Sequence, residues 1–174
     1  MTELPRVARF EKVSFEQFDK AWIDTFGENT TIYGIDSRQS YCGIDIPRRS
    51  TSGSAGYDFV SPIDFVLYPS EEIKIPTGIR CVMEDGYVLF IFPRSSLGFK
   101  YNLMCCNTIP IIDSDYCKSD NEGHIFIKLI NRGTKTVSIK RGDKIVQGIL
   151  VPFCCTYDDD VNSIRNGGMG STGR

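Results

Sequence analysis

The first strong pattern in the chain is a set of aromatic residues at helical spacing: Phe15, Phe18, Trp22 and Phe26. Ser14 followed by Gln17 has the form of a capping box, and Gly27 is a typical residue at a helix C-terminus. Because the charged residues lie on the other face, the pattern predicts an amphipathic helix over residues 15–26 that packs through its aromatic side.

From Tyr41 onward, short runs rich in Val, Ile, Phe and Tyr alternate with Gly, Pro, Asn and Asp. This pattern is typical of an all-β barrel or sandwich, and no long helical pattern interrupts it. We therefore predict an all-β domain over residues 41–164, preceded by an N-terminal extension, residues 1–40, that carries the one helix. The candidate strands are 56–60, 72–76, 79–83, 86–92, 103–106, 124–131, 137–139 and 145–152.

Residues 165–174 are too rich in glycine to form a strand or helix alone and predict a flexible C-terminal arm. Free backbone N–H groups, two hydroxyls and the flanking Arg165 and Arg174 could wrap a phosphate chain. A tail without a ligand is the alternative that this segment leaves open.

The composition limits the binding partners and the cellular location that we expect for the protein. A chain of 174 residues with a net charge of -2 fits one soluble domain and argues against a broad nucleic-acid surface. No apolar run spans a bilayer and no signal peptide is recognisable, so we expect no membrane contact and a cytoplasmic location, or host-cell intracellular if the source is viral. The 7 cysteines lack C-x-x-C spacing and predict buried, reduced thiols.

Two segments carry the candidate chemistry. Pro93–Gly98 places an arginine beside two serine hydroxyls at the end of an apolar strand, which suits phosphate oxygens. Ile111–Tyr116 places Asp113 at the end of another apolar run with an aromatic ring three positions on. Asp113 could deprotonate a water there, although an Asx turn in a hairpin explains the same residues equally well.

Taken in order, five segments resemble the motifs of the trimeric all-β dUTP pyrophosphatases. They are Ser54–Phe59, Pro93–Gly98, Ile111–Tyr116, Gly142–Gln147 and Arg165–Gly173. The resemblance covers all but roughly the first forty residues. It looks closest to a bacterial and phage branch, because Ser119–His124 reads Ser-Asp-Asn-Glu-Gly-His.

The resemblance implies a distorted β-barrel or jelly roll that assembles as a homotrimer, with active sites shared between subunits and closed by the C-terminal arm. It implies hydrolysis of dUTP to dUMP and pyrophosphate, with Mg2+ held by the triphosphate and by waters. This activity would lower dUTP, limit uracil incorporation into DNA and supply dUMP for dTMP synthesis.

The resemblance also assigns roles to single residues. Asp113 would activate the water that attacks the α-phosphorus, and Tyr116 would pack under the deoxyribose. Asn107 and the backbone up to Ile112 would read the uracil edge, and Asp58 would bind Mg2+ through water. The other residues would hold the phosphates or close over the substrate, with Ser95 grouped with Asp113 as catalytic: Arg94, Ser95, Ser96, Gln147, Arg165, Met169, Gly170, Ser171 and Thr172.

Two departures from the family pattern concern base binding. Met169 stands where the arm usually carries a phenylalanine, and Pro110 stands where a glycine is common. A related branch deaminates dCTP with a strand glutamate, but Lys128 occupies the matching position here, which disfavours that reaction. A trimer that only binds a partner is a further alternative, and turnover of dUTP separates it from an enzyme.

Overall fold

Most of the regular structure is antiparallel β in the computed structural model, which describes residues 4–162. The strands are β1 (Ala8–Lys12), β2 (Arg48–Arg49), β3 (Tyr57–Val60), β4 (Phe65–Leu67), β5 (Glu72–Pro76), β6 (Ile79–Met83), β7 (Tyr87–Pro93), β8 (Leu103–Cys105), β9 (Ile111–Asp113), β10 (Phe126–Asn131), β11 (Val137–Ile139) and β12 (Lys144–Pro152). The helices are α1 (Phe15–Phe26), α2 (Ser37–Cys42), α3 (Ser95–Tyr101) and a 3-10 helix at Ser114–Lys118.

Four small sheets enclose one hydrophobic core. A five-stranded sheet has the order β2-β3-β12-β7-β9, and a three-stranded sheet has the order β5-β10-β8. β4 pairs with β11, and β1 pairs with β6. This arrangement confirms the predicted all-β fold of barrel or jelly-roll type, since short antiparallel sheets wrap around shared buried side chains such as Phe59, Leu89 and Ile127.

The predicted helix is confirmed over residues 15–26. The Ser14 hydroxyl accepts a hydrogen bond from the backbone N–H of Gln17, and the chain turns at Gly27 with a φ of 97°. In a capping box, the side chain of Gln17 would accept a hydrogen bond from the backbone N–H of Ser14. Here that N–H donates instead to the carboxylate of Glu122, 108 positions away. Phe18 and Trp22 are buried, as the aromatic periodicity predicts.

The N-terminal extension packs directly on the barrel. β1 aligns with β6 over five residue pairs, and Phe18 and Trp22 belong to the same core cluster as the strand residues. The boundary drawn at residue 40 stays a prediction.

The eight candidate strands all occur, each within two residues of the expected ends. The pattern did not predict β1, β2, β4, β9, α2 or α3. These elements are short, and β1 reads Ala-Arg-Phe-Glu-Lys, so its pairing with β6 depends on tertiary contacts rather than on hydrophobic alternation. α3 spans 7 residues and is anchored by the buried Leu97.

The seven cysteines all lie within the described residues and all are free thiols. The expectation that they are buried was wrong for most of them. Cys81 and Cys105 are buried, whereas Cys42, Cys106, Cys154 and Cys155 are exposed. Within residues 4–162, none of the helices is both long and apolar enough to cross a bilayer.

Candidate active site

Three of the five sequence motifs meet at one end of the five-stranded sheet. Gln147 on β12 lies directly opposite Asp58 on β3 and Phe92 on β7. Arg94 follows at the end of β7, so its side chain reaches Asp58. A Cβ at Gly56 would lie 2.5 Å from the Gln147 Oε1 atom, so a larger residue at this position would displace the Gln147 amide.

Asp58 is the centre of a charged cluster at this end, which we call the phosphate end. Only 6% of Asp58 is exposed. Its Oδ1 atom accepts from Arg94, and its Oδ2 atom accepts from the Ser50 hydroxyl at 2.7 Å and lies 2.8 Å from the Lys144 ammonium. Burial raises the pKa of Asp58, but the donors Lys144 and Ser50 and the charge of Arg94 outweigh it, so the pKa lies below its usual value.

Lys144 and Ser50 were not predicted as site residues. Lys144 lies inside the fourth motif, Gly142–Gln147, from which only Gln147 was predicted to bind the substrate. The motif could therefore have indicated Lys144 as well. Lys144 also donates to the Ser50 hydroxyl at 2.9 Å. Ser50 lies outside all five motifs, and only the pairing of β2 with β3 brings it to Asp58.

Ser95 and Ser96 are exposed at the start of α3. The Arg94 backbone N–H donates to the Ile145 carbonyl at 3.1 Å, and the Arg94 carbonyl accepts from Leu97 and Gly98. The backbone at Arg94 is therefore held by β12 and by α3 together, and the guanidinium reaches Asp58 from this position.

The third motif lies at the other end of the same sheet, which we call the tyrosine end. Asp113 is the last residue of β9 and lies opposite Val88 on β7. The 3-10 helix follows directly and carries Tyr116, of which 4% is exposed. The Tyr116 hydroxyl donates to the His124 carbonyl at 2.9 Å and accepts from the Asn121 Nδ2 amide at 2.9 Å.

Asn107 is exposed in the segment that joins β8 to β9. Its carbonyl accepts from the Ile109 N–H at 2.7 Å, and Thr108 between them has a φ of 64°. Pro110 is buried, and its carbonyl accepts from the Ile91 N–H at 3.0 Å. The proline removes a backbone donor at this position, yet its carbonyl ties the hairpin to β7.

Both ends lie on one face of the sheet. Paired residues share a face, and the face alternates along each strand. Three rows therefore follow one another: Asp58, Gln147 and Phe92; then Ile149, Phe90 and Ile111; then Val151, Val88 and Asp113. Four residues along β7 separate the outer rows, about 13 Å at a rise of roughly 3.3 Å per residue.

The structure thus brings together Asp58, Arg94, Ser95, Ser96 and Gln147 at one end, and Ile112, Asp113 and Tyr116 at the other. Asn107 lies in the exposed segment between β8 and β9, and the remaining sequence-predicted site residues lie outside the described residues: Arg165, Met169, Gly170, Ser171 and Thr172.

Comparison with known proteins identifies the family. The sequence matches the dUTPase family over residues 43–173. It is 39% identical over 144 residues to the deoxyuridine 5'-triphosphate nucleotidohydrolase of Lactococcus lactis, covering 81% of this chain and 96% of that one.

Two solved structures are similar in fold. The dUTPase of Streptococcus mutans aligns with a TM-score of 0.58 and 36% identity, over 64% of this chain and 88% of that one. A mutant dUTPase from phage phi11 of S. aureus, whose structure shows the coordination of a structural Mg(II) ion, aligns with a TM-score of 0.57 and 23% identity over 71% and 94% of the two chains. The chain therefore belongs to the dUTPase family, the enzymes that hydrolyse deoxyuridine 5'-triphosphate.

Proposed function

We propose that this dUTPase releases dUMP and pyrophosphate at sites assembled from two subunits of a homotrimer, one subunit supplying the phosphate end and its neighbour the tyrosine end. The separation of the two ends carries the proposal. A water activated by Asp113 must lie within about 3–3.5 Å of the phosphorus that it attacks. One chain keeps Asp113 and the phosphate end too far apart to act on the same phosphorus.

The sheet face between the two ends supports assembly. Phe90, Ile149 and Ile111 form an apolar row there, and Ile111 is 59% exposed. An apolar strip between two polar half-sites is suited to burial against another copy of the same chain. Such packing would place the phosphate end of one subunit against the tyrosine end of the next.

At the phosphate end, Arg94, Ser95, Ser96 and Gln147 would bind the triphosphate. Arg94 has 29% of its side chain exposed and Lys144 has 47%. Both cations can therefore exchange Asp58 for phosphate oxygens without leaving the site, because charge-assisted bonds of similar strength replace those that are lost. Arg165, Gly170, Ser171 and Thr172 would close over the phosphates from the arm.

Asp58 fits a magnesium ion held through water rather than a dedicated metal cage. No cluster of three or more His, Cys, Asp or Glu side chains that could hold a metal occurs among residues 4–162. Mg2+ is often bound by one or two carboxylates together with substrate phosphates and waters, which suits a single carboxylate beside a triphosphate site. When bound, Mg2+ would offset negative charge on the leaving pyrophosphate. Asp58 would order the waters around it once Arg94 turns to phosphate.

At the tyrosine end, Asp113 would accept the proton of the attacking water. Tyr116 would pack under the deoxyribose and leave no room for a 2'-hydroxyl. Asn107 and the backbone up to Ile112 would hydrogen-bond the uracil edge, and Met169 would cover the base. A cytosine amino group would then meet the wrong hydrogen-bonding partners, which is how a polar site rejects an analogue.

The roles of the two ends can be tested with Asp113→Asn. The amide keeps the size of the carboxylate but is not a base, so we expect kcat for dUTP to fall about 10²- to 10⁴-fold while the KM changes little. Release of pyrophosphate measures the rate. Asp45→Asn, at an exposed carboxylate outside both ends of the sheet, is the control and should retain wild-type kinetics. A near-normal rate for Asp113→Asn would remove this residue from the mechanism.

Sharing of the site between subunits can be tested by co-expression. Asp113→Asn and Arg94→Ala should each be nearly inactive alone. In mixed trimers, the intact phosphate end of one variant meets the intact Asp113 of the other, so equal mixing should restore about a quarter of the sites. Light scattering should give the mass of three chains. Absence of recovery in mixed trimers would contradict a shared site without contradicting the dUTPase activity.

The rival reaction finds no support in the structure. Lys128, at the position of the deaminase glutamate, has 52% of its side chain exposed and forms an ion pair of 2.5 Å with Glu72. An ammonium paired at the surface supplies no carboxylate for acid–base chemistry. We also propose an intracellular location, because seven free thiols, four of them exposed, fit a reducing compartment.

A further inference from the structure

The loop Ser119–His124, which we call the 119–124 loop, follows the 3-10 helix of the third motif and packs against its backbone. Glu122 has a φ of 58° and Gly123 a φ of 73°. A Cβ at Gly123 would lie 2.5 Å from the Cys117 Cα atom, so only glycine allows this approach. A non-glycine residue in the left-handed region persists when its surroundings hold it there. The Glu122 N–H donates to the Ser119 carbonyl at 2.8 Å within the loop, and the Glu122 side chain adds a contact from outside the loop.

This loop holds the Tyr116 hydroxyl from two sides. The hydroxyl donates to the His124 carbonyl, and the Asn121 side chain donates to the hydroxyl. Asn121 is itself oriented by the Gly123 N–H, which donates to its Oδ1 atom at 3.1 Å. The position of the tyrosine ring thus depends on the conformation of the loop at Glu122 and Gly123.

The far side of the loop is tied to the N-terminal helix. Glu122 accepts two hydrogen bonds from Ser14, at 2.7 Å from the backbone N–H and at 2.5 Å from the hydroxyl. Burial raises the pKa of Glu122, and these donors outweigh it, so the pKa is lowered and the carboxylate is ionised at neutral pH. α1 provides a firm anchor because Phe18 and Trp22 are buried in the core.

We propose that Glu122 is a positioning residue for Tyr116, and that the N-terminal helix thereby sets the discrimination between dUTP and UTP. The inference rests on the role proposed above for Tyr116 under the deoxyribose. With Glu122 held by Ser14, the loop keeps its left-handed turn and the hydroxyl keeps both partners. Without that contact the loop relaxes, the ring shifts, and a 2'-hydroxyl finds room.

The test compares Glu122→Ala and Glu122→Gln in the full chain, with Glu71→Ala as a matched control. Glu71 also accepts a backbone N–H, from Tyr68 at 2.8 Å, but in the turn between β4 and β5. We expect Glu122→Ala to lower the ratio of kcat/KM for dUTP to that for UTP about tenfold, mainly by improving UTP turnover. Glu122→Gln should restore most of the ratio, and the control should keep it.

Hydrogen exchange of the amides of Ser114–Lys118 gives a second readout that needs no substrate. Exchange should rise in Glu122→Ala and stay at the wild-type level in Glu71→Ala. Ser14→Ala removes one of the two donors and should give a smaller change in the same direction, which keeps the test decisive if Glu122→Ala does not fold.

The outcomes separate the inference from the function. An unchanged dUTP to UTP ratio in the Glu122 variants would overturn the inference, whether or not amide exchange changes, and would leave dUTP hydrolysis standing. A wild-type enzyme that turns over UTP as well as dUTP would instead overturn the role proposed for Tyr116, and the inference with it.

Discussion

The phosphate end and the tyrosine end of the five-stranded sheet are held by different forces. Asp58 is surrounded by two cations whose side chains remain partly exposed, so its ion pairs can open and re-form with a new anion. Tyr116 is buried and held by neutral hydrogen bonds to the 119–124 loop. With the roles proposed above, the first end would adapt to the triphosphate and the second would be set in advance for the sugar and the attacking water.

The arrangement also shows how the N-terminal helix contacts the tyrosine end. Breaking an exposed ion pair costs little and is screened by salt. The Tyr116 hydroxyl is instead held by hydrogen bonds to the 119–124 loop, and α1 contacts that loop through Ser14 and Glu122.

The largest expected effect on stability concerns the tyrosine end. His124 is fully buried, and its Nε2 atom accepts from the Gly78 N–H at 2.8 Å. Burial lowers the pKa of His124 to about 4, with Glu122 raising it and Lys74 lowering it. The unfolded chain binds a proton on this histidine more readily than the folded chain does. The contribution of His124 to the free energy of unfolding is therefore complete above the unfolded pKa near 6.5. It decreases as the pH falls and is lost once the pH has fallen through 4, a change of roughly 3 kcal/mol.

Urea unfolding of wild type and His124→Gln between pH 7.5 and pH 4 measures this effect. Glutamine offers an acceptor for the Gly78 N–H but does not titrate, so the variant should lose the part of the pH dependence due to His124. Parallel pH profiles for the two proteins would show that the tyrosine end is not the acid-sensitive region.

An intermediate effect is expected at the phosphate end. Asp58→Asn removes the negative charge that orients Arg94 and Lys144, and we expect kcat/KM for dUTP to fall about 10- to 100-fold. The dUTP to UTP ratio should remain at the wild-type value, because in the proposed site this end binds the phosphates and not the sugar. Steady-state kinetics with both nucleotides at saturating Mg2+ measure the two quantities. A changed ratio would mean that the two ends do not act separately.

The smallest effect is expected at Met169, where the family usually has phenylalanine. A thioether can lie on a uracil face but lacks a rigid flat surface, and base–aromatic stacking contributes about 1 to 3 kcal/mol. We expect Met169→Phe to raise kcat/KM by up to roughly tenfold and Met169→Ala to lower it. Equal efficiency of the methionine, alanine and phenylalanine proteins would show that this side chain does not cover the base.

Much of the fold could be predicted because its signals are local. The aromatic spacing from Phe15 to Phe26 and the cap at Ser14 defined α1 to the residue, and apolar runs between turn residues located eight strands. The strands that the pattern missed, such as β1 and β4, are short or polar. Each pairs with a strand that is distant in the sequence, β1 with β6 and β4 with β11, so its pairing depends on tertiary contacts.

The sequence by itself determined the family, the motif residues and the elements that carry them, because ordered motifs and periodicity are properties of the chain. Tertiary structure alone decided which of these residues meet. β-Sheet register brings Ser50 and Lys144 to Asp58 and keeps Asp113 about 13 Å along the same face. A contact across 108 positions joins Ser14 to Glu122. Such contacts depend on the folded path of the chain, since no local pattern records which distant donor a carboxylate will find.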